Sequence, residues 1–461
     1  MKVRNKETLE KAASELVKQQ KISDLLISLV LKRGCKFFLD QFGEPQVQLP
    51  DRPAVGYSIS GAVFKRWVSG IYWEDFNEGF SNEIFSQVMA ALEGKSQHEG
   101  IKVSLSNRIA KTTETIFYDI GDDINVVKIT PSGWEVVKAE DPLFRRFTHQ
   151  KVQSIPEKGG ALEKILDYVN LKNPEDKILF LTYLVAILFC DIPRAMIIAT
   201  GEQGSAKSTL LRVIRKLIDP SRVDLLKMRS AMDELTQMAS HHYCLYFDNL
   251  SYLSTESSDS LSGFVTGLGF SKRKLFSDDS DIIFELLVAV GLNGINLVAE
   301  KADLLDRSLI FTLERISDSS RREESKFWSD FDKEKPQILG ALFDITSQVL
   351  KIKEDIKLPT RPRMADYARV AAAAAVSLGY EVDGFLQAFE KNIARQNKAA
   401  IDASPVAQTI LEFMSIRDEW SGASSDLFTE LSNLATANKL EVGGSYGFPK
   451  SATWLWRKIN L

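Results

Sequence analysis

The sequence predicts an α/β fold with a parallel sheet at its core, an α+β unit ahead of it and helices behind it. Three observations carry this prediction. From about residue 165 to Leu313, short apolar runs (AMIIAT, HHYCLYF, ELLVAVG, SLIFTL) alternate with helical spacing, the pattern of strands joined by crossover helices. Ahead of that stretch, TIFYDI, NVVKIT and WEVVKA alternate with period two around GDD and PSG, which predicts a β-meander. Behind it, SRREESKFWSDFDKEK and RMADYARVAAAAAVSLGY return to helical spacing.

The remaining elements follow in chain order. Residues 4–32 read as two amphipathic helices, and SGAVFKRWVSGIYWEDF (60–76) as an aromatic-rich third. Its Phe64, Trp67, Tyr72 and Trp73 fit core packing better than a base-stacking platform. QSIPEKGGALEK (153–164) reads as a linker. After Ala403-Ser404-Pro405, three helix candidates close the chain, the later two with Ser425 and Ser451 as cap candidates. The boundaries expected are therefore 1–152, 153–317, 318–403 and 404–461, in line with about three domains for this length.

Composition narrows the function classes. With 44% hydrophobic and 26% charged residues, the 461-residue chain has ordinary globular character. A net charge of -4 excludes a uniformly basic nucleic-acid coat but not a local basic surface. Cys35, Cys190 and Cys244 lack CxxC spacing, so neither disulfide framework nor zinc site is expected. The charged N-terminus is no signal peptide, and the apolar run Ile178–Cys190 is shorter than the roughly 18 residues of a membrane span. No membrane partner and a cytoplasmic location are expected. The first 152 residues have no assigned function and lack the paired carboxylates of a two-metal primase site.

The chemistry concentrates at GEQGSAKST (201–209), which joins the strand candidate AMIIAT to the helix candidate LLRVIRKLI. Strand, glycine loop and helix in that order cradle phosphates. Gly201, Gly204, Ser205, Ala206 and Thr209 supply the loop and helix start, Lys207 reaches the β/γ oxygens of ATP, and Ser208 ligates Mg²⁺. Ala206 stands where the general pattern has glycine, so a Cβ restricts the loop. A second apolar run ends in Asp248-Asn249, where Asp248 would hold Mg²⁺ through water. Asn249 can orient a water but not take its proton, so the general base is unassigned, with Glu202 only a guess. A third run ends in Asn293, and Arg307 opens the next. Arg307 either reaches a neighbouring subunit's γ-phosphate or pairs with Asp303 or Asp306.

Together GEQGSAKST, YFDNLS, LNGI and DLLDRS resemble the AAA+ ATPase core of MCM-like replicative helicases carried by mobile genetic elements, such as those of staphylococcal cassette chromosomes and related phages and plasmids. Ala206 and Asn249 are usual forms in that group. The resemblance covers about 165–313 and is looser on both sides. It implies an ATP-hydrolysing DNA helicase or translocase, assembled as a ring, expected to be a homo-hexamer. Lys207, Ser208, Asp248 and the γ-phosphate sensor Asn293 would act in cis, Arg307 in trans, and Arg363 as a second sensor from a helical lid. The hairpin candidate in GLGFSKRKLFSDDSDIIFELL (267–287) would face the ring channel, where Lys272, Arg273 and Lys274 could meet DNA phosphates. Its acidic tip (Asp278, Asp279, Asp281) equally fits a solvated hairpin. The last segment resembles a winged-helix domain lacking its wing, yet carries five basic against six acidic residues, so DNA binding and docking of a replication or initiator protein both stay open. A ring ATPase that loads or remodels a protein is the principal alternative. A vestigial site on a DNA-binding module and a small-molecule kinase rank below it.

Overall fold

The structure is a computed structural model and describes residues 6–229, 231–250, 253–273, 281–294, 302–359, 362–440, 442–443 and 447–459. The chain opens with α1 (Lys6–Lys32), one uninterrupted helix where two were expected, since no glycine or proline falls within it. An unforeseen antiparallel sheet follows, β1 (Lys36–Leu39), β2 (Pro45–Leu49) and β3 (Arg52–Ser58). Its strands are too short, and in β3 too uniformly buried, to show a period in the sequence. Helices α2 (Ala62–Phe76) and α3 (Asn82–Glu99) pack beside it, and the left-handed Asn77 (φ 53°) ends α2. Phe64 and Tyr72 are core residues as expected, whereas Trp73 is 57% exposed.

The meander forms as β5 (Ile116–Asp119), β6 (Asn125–Thr130) and β7 (Gly133–Lys138), preceded by a short β4 (Ile109–Lys111). A 3₁₀ segment (Leu162–Tyr168) and α4 (Pro174–Ala186) then lead into the core. The apolar run noted above is α4 and its continuation, buried within the protein. Among the described residues no helix is long and apolar enough to cross a membrane.

Strands β8 (Met196–Gly201), β9 (Cys244–Phe247), β12 (Ala289–Asn293) and β13 (Ser308–Leu313) form a four-stranded parallel sheet in the order β13-β8-β12-β9. Its crossovers carry α5 (Lys207–Ile218), α6 (Met232–His241), α7 (Thr255–Thr266) and the short α8 (Ala302–Leu305). Each strand is nearly all buried, as a sheet covered on both faces requires. Between α7 and β12 the antiparallel pair β10 (Gly269–Arg273) and β11 (Asp281–Glu285) is in register from Gly269↔Glu285 to Arg273↔Asp281.

Helices α9 (Glu324–Ile352), α10 (Ala365–Ser377) and α11 (Val382–Ala403) form a layer against α4. The run Ala371–Ala375 is wholly buried, and side chains this small let α10 lie close to its neighbours. The chain ends in α12 (Pro405–Met414), α13 (Ser424–Ala437) and α14 (Ala452–Ile459), around a small core with Phe413, Leu431 and Phe448. Ser451 caps α14 as expected, its Oγ accepting from Trp454 N at 3.3 Å. Ser425 does not cap α13: it lies inside the first turn, and Ala423 takes the cap position without a side-chain bond.

One feature crosses the expected boundary at residue 152. The hydrophobic core of the parallel sheet continues into β4–β7 through Ile116, Tyr118, Val127, Ile129 and Trp134. The small sheet holds the end of α5, Tyr118 OH donating to Ile218 O (2.9 Å), and Gln153, beyond the last strand, donates to Leu217 O (2.8 Å). The same face meets α9: Tyr118 and Trp134 both pack against Phe343, Trp134 Nε1 donates to Asp344 (2.8 Å), and Ser347 Oγ donates to Thr130 O (2.6 Å).

Candidate nucleotide site

The loop between β8 and α5 has the shape its glycines allow. Gly201 (φ 136°) and Gly204 (φ 81°) occupy backbone regions costly to other residues, and a Cβ on Gly201 would lie 2.2 Å from Leu313 O. Ala206 adopts the left-handed conformation (φ 67°, ψ 31°) that a glycine would take, so its methyl group is tolerated at some strain. Lys207 opens α5. Its Nζ donates to Gly201 O (2.7 Å) and Glu202 O (2.8 Å), with Ser205 Oγ at 3.5 Å. Burial lowers the Lys207 pKa and the Asp248 charge opposes the shift.

The carboxyl ends of β8, β9 and β12 bring the other predicted residues here, as the pairings Asn293↔Ala199 and Leu292↔Phe247 dictate. Ser208 Oγ donates to Asp248 Oδ1 at 2.8 Å, and Asn293 Nδ2 donates to the same oxygen at 2.8 Å and lies 3.3 Å from Ser208 Oγ. The three side chains form a closed triangle. Asn293 is oriented by a second bond, because its Oδ1 accepts from Asn249 N at 2.7 Å. Asn249 is itself left-handed (φ 54°), and its side chain faces solvent beside this triangle.

A hydroxyl and a carboxylate are hard oxygen donors suited to Mg²⁺, which keeps waters and takes its remaining ligands from substrate phosphates. Among the described residues no cluster of three or more His, Cys, Asp or Glu side chains forms a metal site. The Ser208–Asp248 pair offers one hydroxyl and one carboxylate oxygen to such an ion.

Arg307 and Arg363 lie elsewhere. Ser308 pairs with Met196, so Arg307 sits where β13 begins, about 17–20 Å along the sheet from the loop after Gly201. There Arg307 is ion-paired with Asp303 and donates to its carbonyl (2.8 Å), while Arg363 bridges Asp303 and Asp306. Within one chain the two arginines thus share a cluster at the end of the sheet opposite the β8–α5 loop. Lys272 and Arg273 lie on β10, opposite Ile282 and Asp281, whereas Lys274 and the tip residues Asp278 and Asp279 fall outside the described residues. Thr209 is in the first turn of α5, and Glu202 is exposed at the loop.

Two residues that the sequence reading passed over also shape the site. Asn170 Nδ2 donates to Ser205 O (3.2 Å) and Glu314 O (2.7 Å), tying the loop to the exit of β13. Buried Arg108 anchors the far end of α5, donating to Asp219 Oδ1 (3.0 Å) and Asp119 O (3.0 Å), with Pro220 O at 3.4 Å. Burial would raise the Asp219 pKa, but Arg215 and Arg108 outweigh it and hold the carboxyl at about 2. Neither residue belongs to a motif, and each has a partner more than 100 positions away, which leaves no local signal. A separate cleft of about 760 Å³ lies between α6 and the N-terminal sheets, but its Arg145 and Arg146 are already paired with Asp40 and with Asp119 and Asp123.

The family model of actinomycete integrative conjugative element replication proteins matches residues 162–392, half of the chain, a span that holds the β8–α5 loop, Asp248, Asn293, Arg307 and Arg363. The chain belongs to this family. It is thus a replication protein of the mobile-element type. No curated protein matches it. Among solved structures it is similar to the apo C-terminal region of NrS-1 (12% identity, 90% of this chain and 82% of that one, TM-score 0.44). It is also similar to SCCmec type IV Cch, described as an active helicase (12%, 89% and 79%, TM-score 0.43), and to JCV helicase (13%, 48% and 71%, TM-score 0.24).

Proposed function

We propose that this replication protein is an ATP-hydrolysing DNA helicase or translocase with an AAA+ core, acting in replication of a mobile genetic element. The observation that carries the reading is the Ser208–Asp248–Asn293 triangle beside Lys207, at the carboxyl ends of three parallel strands. In this reading loop amides and Lys207 hold the β- and γ-phosphates, while Ser208 and Asp248 hold Mg²⁺, which neutralises charge developing on the γ-phosphoryl group. Asn293 reports the γ-phosphate, and Asn249 orients the attacking water.

The remoteness of Arg307 from the loop of its own chain supports a ring, expected to be a hexamer, in which it meets a neighbour's nucleotide. Arg363 shares Asp303 with Arg307, so it is read with Arg307 at the subunit boundary. Helices α9–α11 would form the lid and α12–α14 a winged-helix-like unit. The β10–β11 hairpin, with Lys272 and Arg273 and continuing into Lys274, would touch DNA in the channel of a cytoplasmic enzyme.

ATP hydrolysis measured with and without forked DNA, with strand separation followed in the same tube, tests the proposal. Unwinding by the native chain that disappears in Lys207→Ala is the expected result. Hydrolysis indifferent to DNA, with the fork intact, would favour a protein-remodelling ring instead.

A further inference from the structure

Beyond the expected motifs, the phosphate loop has a second cation beside it. The chain leaving β13 runs along the outside of the loop. Ile316 N donates to Gly204 O at 3.2 Å, and Asn170 bridges Ser205 O and Glu314 O. Five residues past Ile316, this pinned segment delivers Arg321 to the crown of the loop. One terminal nitrogen of its guanidinium lies 3.5 Å from where a Cβ on Gly204 would sit, a distance of ordinary van der Waals contact.

The two adjacent arginines are held very differently. Arg322 is fixed: it pairs with Asp330 at 3.2 Å and lies over the Tyr168 and Phe327 rings at 5.7 and 5.1 Å. Arg321 pairs with Asp318 at 3.1 Å across a single 3₁₀ turn, and the two side chains are 52% and 82% exposed. An ion pair this open contributes little to folding and costs little to break. A guanidinium next to the loop is well suited to phosphate, whose oxygens it can engage in pairs. Lys207, the other cation here, is directed at the loop's own carbonyls.

We infer that Arg321 is a nucleotide-phosphate ligand supplied in cis, held by Asp318 until a polyphosphate occupies the loop and then exchanged onto it. The inference rests on the ATP-binding reading above and adds to it a cation on the segment after β13, distinct from Arg307 and Arg363 at the other end of the sheet. It assigns Asp318 the role of a competitor for the guanidinium.

The test is equilibrium binding of a fluorescent ATP analogue with Mg²⁺ to the full chain, followed by anisotropy, for the native protein and for Arg321→Ala, Asp318→Ala and Lys207→Ala. Arg321→Ala should weaken binding about tenfold, the scale of one charge-assisted hydrogen bond, and Asp318→Ala should tighten it a few-fold. Opposite signs are the signature, since a pair with only a structural role would move both variants the same way. Native affinity in Arg321→Ala, with binding lost in Lys207→Ala, overturns the inference alone. So does equal weakening by Arg321→Ala and Asp318→Ala. Binding absent from the native chain, or unchanged in Lys207→Ala, overturns the ATP-site reading and the inference with it.

Discussion

Acidification from pH 7.5 to pH 5 is expected to remove about 3 kcal/mol of folding stability through two histidines. His149 and His242 stack with ring centroids 3.9 Å apart, and His242 Nδ1 lies 2.9 Å from the Arg215 guanidinium. Burial first, then the Arg215 charge, lowers His242 to about 3 and His149 to about 4. Asp219 pulls in the opposite direction but is committed to Arg215 and Arg108. In the unfolded chain both rings titrate near 6.5, so below that pH the unfolded chain takes up protons that the folded chain refuses. The stabilisation is complete above pH 6.5 and is lost as pH falls toward 4 and then 3. At pH 5 this linkage amounts to about 2 kcal/mol for His242 and, with solvent screening of the half-buried His149, about 1 kcal/mol for His149. Urea unfolding at constant ionic strength, in half-unit pH steps, measures it. The double variant His149→Gln, His242→Gln is the reference, because glutamine still offers Arg215 an acceptor and does not titrate. The native chain should lose about 3 kcal/mol more than the variant over this range. Equal slopes for the two proteins would refute the reasoning.

Three further outcomes are expected. Gly340→Ala would ordinarily stabilise a helix by up to about 1 kcal/mol, but here the new Cβ would lie 1.8 Å from Glu157 O, so a loss of about 1–3 kcal/mol should appear in thermal melts; a gain would contradict the packing. Arg108→Met leaves Asp219 with Arg215 as its one arginine partner and takes the donor from Asp119 O, so chemical denaturation should show a loss of about 1.5–3 kcal/mol, with under about 1 kcal/mol refuting the anchoring role. Ala206→Gly relieves the left-handed strain, so stability should rise by up to about 1 kcal/mol with nucleotide affinity within about threefold of native; a tenfold loss would mean that the methyl group itself contacts the nucleotide.

The readable parts of this chain were those in which chemistry and periodicity coincide within a few residues. Gly201, Lys207 and Ser208 lie in one nine-residue stretch, and Asp248 and Asn293 each end an apolar run. A parallel sheet brings strand ends together, which is why residues 40 and 85 positions from Ser208 meet it. The sheet β1–β3 was missed because its strands are four to seven residues long and β3 is buried through most of its length, with no alternation to detect. Arg108, Asn170 and Arg321 were missed for a different reason. Their roles rest on partners that only the folded chain brings near, and an isolated arginine or asparagine reads as surface. Arg307 shows the converse limit, since its sequence position marked it and both of its foreseen fates remain compatible with its place beside Asp303.

The small sheet β4–β7 has a mechanical consequence. One of its faces is bonded to the tail of the phosphate helix through Tyr118, and its β6–β7 hairpin is bonded to α9 through Trp134 and Thr130. Any swing of α9–α11 relative to α5 must therefore drag this sheet along or shear the bonds that join them. The sheet behaves as a strut between α5 and α9, and strain generated at either one is delivered to the N-terminal third of the chain. A cut near residue 152 would leave the strut on one fragment and both of its bearings on the other.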